Sequence, residues 1–325
     1  MTKLYGAIEA GGTKFVCAVA DENLNIVERV SIPTTVPEET MSDVFKFFEK
    51  HEVQAIGIAS FGPIDVNRKS STYGYITNTP KPGWKNYDFL GEMKKRFDVP
   101  YAWTTDVNGA AYGELKKGAA LGKDSCVYLT VGTGIGGGVV INGKVIEGYG
   151  HPEIGHIIMR RHPDDKYEGK CPFHHDCLEG LAAGPAIEAR QGGVKAYDIP
   201  KDDKAWEIVA YYLAQACVDL TLTLSPEKII FGGGVSKQEQ LFPMIRESFK
   251  KQMNDYVPTP DLDDYIVHVE LGDDAGITGC FLPAELSRHH FIVTVSLIDG
   301  AKVGVIFELH NIFNKKIRLI FKAST

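Results

Sequence analysis

Four side chains able to bind a soft or borderline metal lie close together in this 325-residue chain: His156, Cys171, His174 and Cys177. Their spacing is H-x14-C-x2-H-x2-C, in a segment rich in glycine, proline and aspartate, and Leu178, Glu179 and Gly180 follow at once. Two thiolates and two imidazoles make up the tetrahedral donor set that Zn2+ prefers. Four protein ligands leave no position for a water, so the spacing predicts a structural zinc and argues against a zinc-dependent hydrolase. The competing reading is two buried thiols with unrelated surface histidines, which the short C-x2-H-x2-C run disfavours.

Three glycine turns carry a second kind of chemistry: Gly11-Gly12-Thr13-Lys14, the run Gly132 to Gly138, and Gly232-Gly233-Gly234. Glycine lets backbone N–H groups come close to an anion, because no Cβ intervenes and positive φ is allowed. One such turn means little, but three between apolar strands point to a nucleotide held between two halves. None has the order of a P-loop, and Gly132, Gly134 and Gly137 match the dinucleotide fingerprint only superficially, since strand residues follow. Tight hairpins alone are the alternative, and Lys14 reads equally as a phosphate contact or a solvated strand residue. Asp106 stands where a strand gives way to a helix, a place where the helix N-terminus is expected to hold a carboxylate ionised, or where it serves as an ordinary N-cap.

These groups need elements to position them. Leu4 to Glu9 and Lys14 to Ala20 read as a hairpin, followed by a strand at 29–32, a helix at 37–50 and a buried strand at 54–60. A polar loop through 67–85 precedes a strand at 100–105 and the alanine-rich helix that Asp106 opens. The pattern then begins again. Ser125 to Val131, the glycine run and a strand at 139–142 repeat the opening hairpin, which predicts two topologically similar halves. A long helix at 204–224, a strand at 228–231 and a last core helix at 276–287 follow.

Thirty-five basic against 42 acidic residues, a net charge of -7, leave no cationic field for nucleic acid. The N-terminus enters a strand without the regions of a signal peptide, and no apolar run approaches a membrane span, so a cytoplasmic protein is expected. Cys17, Cys126, Cys217 and Cys280 sit in apolar runs and read as reduced core residues.

Taken together, Ile8 to Lys14, Thr105 to Ala111, Thr130 to Gly138, Pro152 to His156, the cluster ending Cys177-Leu178-Glu179-Gly180, and Phe231 to Val235 resemble the ROK family of sugar kinases. That family lies within the actin/hexokinase/Hsp70-like ATPase superfamily, and the resemblance runs over residues 4–287 in the right order. It is most similar to the zinc-containing bacterial fructokinases of the family. The resemblance implies an α/β fold of two similar actin/hexokinase-like (ribonuclease H-like) domains with a cleft between them. The division expected is 1–117, joined by the helix 276–287, against 118–275 with a zinc-binding loop at 151–180.

It further implies ATP-dependent phosphorylation of a hexose, fructose first and mannose, glucose or N-acetylmannosamine as alternatives, with Mg2+ and one structural Zn2+. Asp106 would be the general base, and Glu153, His156, Glu179 and Asn108 the sugar ligands, with His156 shared between zinc and sugar. Gly11, Gly12, Thr13, Lys14, Thr133 and Gly134 would surround the phosphates, and Gly233 and Gly234 would lie beside adenosine. Glu9 stands where aspartate is commoner in the family; it keeps the oxygen donors for Mg2+, directly or through water. The loop from Asn78 to Trp84 resembles one near the sugar, with a proline-fixed turn and a buried tryptophan as the other reading.

A homodimer is the implied assembly. A sugar-responsive regulator of the same family would carry a helix-turn-helix ahead of the first strand, and the chain begins just before that strand with a negative charge, so the kinase reading leads. Residues 291–325 extend beyond the resemblance; Phe291 to Ile298 and Lys302 to Leu309 read as strands, followed by the basic segment at 315–318, with no role assigned.

Overall fold

The computed structural model describes residues 3–286 and, beyond them, 292–298, 302–310 and 316–321. The chain opens with β1 (Leu4–Ala10), β2 (Lys14–Ala20) and β3 (Ile26–Pro33), an antiparallel meander. Helix α1 (Pro37–Phe48) follows, with proline in its first turn, Glu38 and Glu39 at its N-terminal end and Lys46 at its C-terminal end, as the helix dipole favours. Strand β4 (Val53–Ser60) returns parallel to β1. Helix α2 (Phe89–Arg96) is capped by the Asp88 side chain, and β5 (Tyr101–Thr105) pairs parallel with β4. Helix α3 (Asp106–Lys117) then leaves the first sheet.

A second sheet begins with β6 (Cys126–Val131), β7 (Ile135–Ile141) and β8 (Lys144–Val145). Two short helices, α4 (Leu178–Ala182) and α5 (Gly184–Arg190), precede the long α6 (Ala205–Leu224) and β9 (Ile229–Gly232). Helices α7 (Leu241–Met253) and α8 (Leu262–Tyr265) lead to β10 (Ile266–His268) and the helix α9 (Ala275–Leu286). The strand orders are β3-β2-β1-β4-β5 and β8-β7-β6-β9-β10. The two sheets therefore match position by position, antiparallel hairpins and parallel pairs included. This is the α/β class of two like halves that the repeated openings predict.

The two faces of the first sheet differ in residue size. Ile8, Phe15, Cys17 and Val19 point to the aromatic core under α1 and α2, while Ala7, Val16, Ala18, Ala55 and Ala59 point to α9. Alternation with period two sorts them. The small face lets α9 approach closely: a Cβ at Gly57 would lie 1.8 Å from the Cys280 carbonyl oxygen. Helix α3 lies between α9 and the second sheet, where Ala110, Ala111 and Leu115 share a core with Cys126, Tyr128 and Val140. The crossing of α3 and α9 is backbone on backbone, since a Cβ at Gly279 would meet the Gly109 carbonyl oxygen at 1.8 Å.

Glu114, at the far end of α3, is fully buried. Its Oε2 accepts the N–H groups of Ala119 (2.7 Å) and Glu270 (3.2 Å), and its Oε1 accepts that of Leu271 (2.8 Å). Ala119 lies on the connection from α3 to β6, and Glu270 and Leu271 on the return from β10 to α9, so one carboxylate joins both crossings.

Several elements depart from the sequence reading. The run Gly132 to Gly138 is not one turn: the turn is Gly132 to Gly134, and Gly136, Gly137 and Gly138 lie in β7. A Cβ at Gly138 would sit 2.1 Å from the Val107 carbonyl oxygen and one at Gly136 3.0 Å from the Val107 side chain, so these two let the start of α3 rest on the strand, while Gly137 faces Ile154. Helices α2, α4, α5, α7 and α8 and strand β10 had no predicted counterpart. In the tail, β11 (Ile292–Ile298), β12 (Lys302–His310) and β13 (Lys316–Phe321) form an antiparallel three-stranded sheet. Ser287, Phe291 and Lys315 lie outside the described residues. All six cysteines are free and buried. Among the described residues, no helix is long and apolar enough to cross a membrane.

Candidate active site

Asp106 is the first residue of α3, and its neighbour Thr105 is the cap, accepting the Asn108 N–H at 3.2 Å. Its own Oδ1 accepts the Val107 N–H at 2.9 Å. The helix N-terminus favours the ionised carboxylate, and burial opposes it more strongly. Burial pushes Asp106 up to about 6, against the pull of the backbone N–H groups and of His151. Asp106, Val107 and Thr130 form a wall common to two cavities.

The first cavity brings together Gly11, Gly12, Thr13 and Lys14 of the opening hairpin with Gly233 and Gly234 after β9. The first turn is tight, with Gly11 N–H donating to the Lys14 carbonyl at 3.0 Å. Gly233 has φ +86, and a Cβ there would lie 2.6 Å from the Val131 carbonyl oxygen, so only glycine fits. Glu9 faces the same space. Burial raises its carboxyl most, the nearby Asp106 charge raises it further, and Arg29 and Lys14 oppose both; the result is about 7. Two interacting carboxylates in a glycine-lined cavity are hard oxygen donors of the kind that suit a Mg2+–phosphate group.

The second cavity holds Glu153, His156 and Glu179. Thr133 and Gly134, expected beside the phosphates, line this cavity, where the turn leans on Glu179: a Cβ at Gly134 would meet the Glu179 Oε2 at 2.6 Å. The same oxygen accepts the Ile135 N–H at 2.9 Å.

Asn108 is not brought into either cavity. It is fully buried, its Nδ2 donating to Thr104 Oγ1 (3.1 Å) and its Oδ1 accepting the Val139 N–H (3.3 Å). Two residues along a helix is a rotation of about 200°, which turns Asn108 away from the side that Asp106 presents. The loop from Asn78 to Trp84 fulfils both of its readings at different residues. Asn78 lines the cavity, and Trp84 is fully buried with its Nε1 donating to the Thr35 carbonyl at 2.7 Å.

His151 had no place in the sequence reading, yet it lines this cavity. Its Nδ1 lies 3.4 Å from Glu153 Oε1, and its Nε2 accepts the Ile64 N–H at 3.4 Å. Its only signal in the chain was its position two residues before Glu153.

The four predicted metal ligands converge. Their donor atoms all lie within 4.8 Å of one another. Cys171 Sγ is 3.7 Å from His156 Nδ1 and 3.8 Å from His174 Nδ1, and Cys177 Sγ is 3.5 Å from His156 Nδ1. A tetrahedron built with Zn–S and Zn–N bonds has edges of about 3.6 Å, so the spacing and the donor chemistry both fit Zn2+. The local chain explains the convergence. Cys171 and His175 exchange backbone hydrogen bonds in a tight turn, and Cys177 leads into α4, whose first turn carries Glu179. His156 closes a single 3-10 turn three residues after Glu153.

Known proteins resemble this chain over most of its length. A fructokinase of Pediococcus pentosaceus is 54% identical over 87% of this chain and 98% of its own length. A fructokinase of Streptococcus mutans is 50% identical over 86% of this chain and 96% of its own. Among solved structures, a ROK hexokinase from Thermus thermophilus superposes with a TM-score of 0.74 at 28% identity, covering 88% of this chain and 98% of that one. A ROK glucokinase from Streptomyces griseus, in complex with glucose and AMPPNP, gives 0.66 at 25% identity, covering 88% and 100%. The ROK family profile matches residues 5–285, and the chain belongs to that family.

Proposed function

We infer that this chain is an ATP-dependent fructokinase, transferring the γ-phosphoryl group of ATP to fructose to give fructose 6-phosphate. The observation that carries the reading is the wall common to the two cavities: Asp106 stands between glycine turns suited to phosphates and a cluster of hydroxyl-binding side chains. The fructokinases at 50 and 54% identity, matched over nearly their whole length, support fructose as the substrate.

Phosphoryl transfer needs an in-line hydroxyl, neutralised charge and a place for one proton. Asp106 takes the proton from the sugar hydroxyl. Gly11 closes the turn whose Gly12 and Thr13 N–H groups hold phosphate oxygens, Lys14 faces the same charge, and Gly233 and Gly234 flank the adenosine. Mg2+, when bound, neutralises the phosphates, and Glu9 beside Asp106 supplies oxygen donors for it, directly or through water. Glu153, His156 and Glu179 read the sugar hydroxyls, and Thr133 and Gly134 reach the phosphates from that side. Zn2+ on His156, Cys171, His174 and Cys177 holds that loop and takes no part in the transfer.

The reading divides the chain into residues 1–117 with α9 and residues 118–275 with the loop 151–180, leaving 291–325 as a tail. It is a cytoplasmic homodimer in this view, which sedimentation at micromolar concentration tests. Coupled detection of ADP release with fructose, glucose, mannose and N-acetylmannosamine tests the activity. Fructose should give the highest kcat/KM; turnover with none of the four would overturn the reading, and a higher value for another hexose would replace the substrate.

A further inference from the structure

The hydroxyl-binding side chains differ in what fixes their aim. Glu179 has one oxygen committed to the Ile135 N–H, and His156 has its Nδ1 among the thiols. Both are held from within the second half of the chain. Glu153 is different: its side chain is about half exposed, and the partner that faces it is His151.

His151 is itself nearly enclosed, and its two nitrogens face opposite halves of the molecule. Nε2 accepts the N–H of Ile64, which follows the Gly62–Pro63 bend of the first half. A nitrogen that accepts that N–H carries the lone pair, so the ring proton belongs on Nδ1, which faces the Glu153 carboxylate. The ring therefore bridges Ile64 of the first half and Glu153.

We propose that His151 is a positioning residue for sugar recognition: it aims the Glu153 carboxylate at the sugar only while Ile64 of the opposite half holds its ring. The inference rests on Glu153 being a sugar ligand. It makes affinity for the sugar depend on the spacing of the two halves through a single side chain.

Two substitutions separate the two contacts. His151→Asn keeps a donor near the position of Nδ1 and loses the reach to Ile64. His151→Gln keeps an acceptor near the position of Nε2 and loses the donor to Glu153. Each should raise the sugar KM about tenfold or more, the scale of one hydrogen bond to a charged group, with the ATP KM within about twofold of wild type. A purely structural role would not divide the two KM values in this way.

The decisive measurement is the cycle with Glu153→Gln. In that background His151→Gln should have little further effect on the sugar KM. Full additivity, or single substitutions that leave the sugar KM unchanged, would overturn the proposal. If Glu153→Gln alone left the sugar KM unchanged, the assignment of Glu153 as a ligand would fall, and this inference with it.

Discussion

The Glu179 carboxylate accepts the backbone N–H of Ile135 at 2.9 Å, so a side chain two residues beyond the metal ligand Cys177 is tied to the glycine turn after β6. Charge and hydrogen bond can be removed separately here. Glu179→Gln keeps an acceptor for Ile135 and should lose sugar affinity with little change in melting temperature. Glu179→Ala also leaves a buried N–H unpaired, which should cost about 1–3 kcal/mol of stability. Denaturant titration of both variants beside sugar KM values checks the difference; equal stability losses would show that the Ile135 bond is immaterial.

Asp106→Asn should lower kcat by about 10²–10⁴-fold while leaving ATP affinity intact, because a general base contributes on that scale. It should also raise the melting temperature at neutral pH. A carboxyl lifted to about 6 by burial favours the fold only when protonated, and that contribution is lost as pH rises through about 6. The gain from Asn should therefore shrink as pH falls through the same range, which calorimetry across pH would reveal.

The same lifted carboxyl sets the acid limb of the rate. Turnover should fall as pH drops through about 6 and fall tenfold per pH unit below that, since only the ionised base accepts the hydroxyl proton. A wild-type rate unchanged down to pH 4.5 would remove Asp106 from the role.

Cys171→Ala or Cys177→Ala should lose bound zinc and sugar affinity together, with the ATP KM nearly unchanged. The reason is adjacency: Cys177 precedes the helix turn that carries Glu179, and His156 closes the turn that begins after Glu153. Metal analysis and the two KM values decide it. Chelation that strips the metal without moving sugar affinity would break the link.

Gly138→Ala should cost about 1–3 kcal/mol through overpacking, because its Cβ would meet the Val107 carbonyl oxygen at 2.1 Å. Relief requires α3 to shift, and Asp106 is the residue before Val107. A fall in kcat larger than the change in either KM is expected, measured by steady-state kinetics at a temperature where the variant is folded.

Much of this arrangement was legible in the sequence because its signals are local. The metal spacing, the hairpin turns and the repeated β-turn-β openings each lie within a short stretch, and each has a counterpart in the fold. What could not be read depends on distant partners. Nothing near Asn108 says that the Val139 N–H will take its amide oxygen, and nothing near His151 names Ile64. The upward shift of Asp106 was hidden for the same reason: the helix N-terminus is visible in sequence, whereas the burial that outweighs it is not. Helix α7 is a different case, since Leu241, Phe242, Ile245, Phe249 and Met253 spell a buried face that periodicity could have identified.

Glu114 has a mechanical consequence. A chain that crosses between two bodies twice ordinarily has two places where it can bend. With Ala119 and Leu271 bonded to opposite oxygens of one enclosed carboxylate, the two bends share a single fulcrum. The two connections are thereby held to one another through α3, the helix that Asp106 opens.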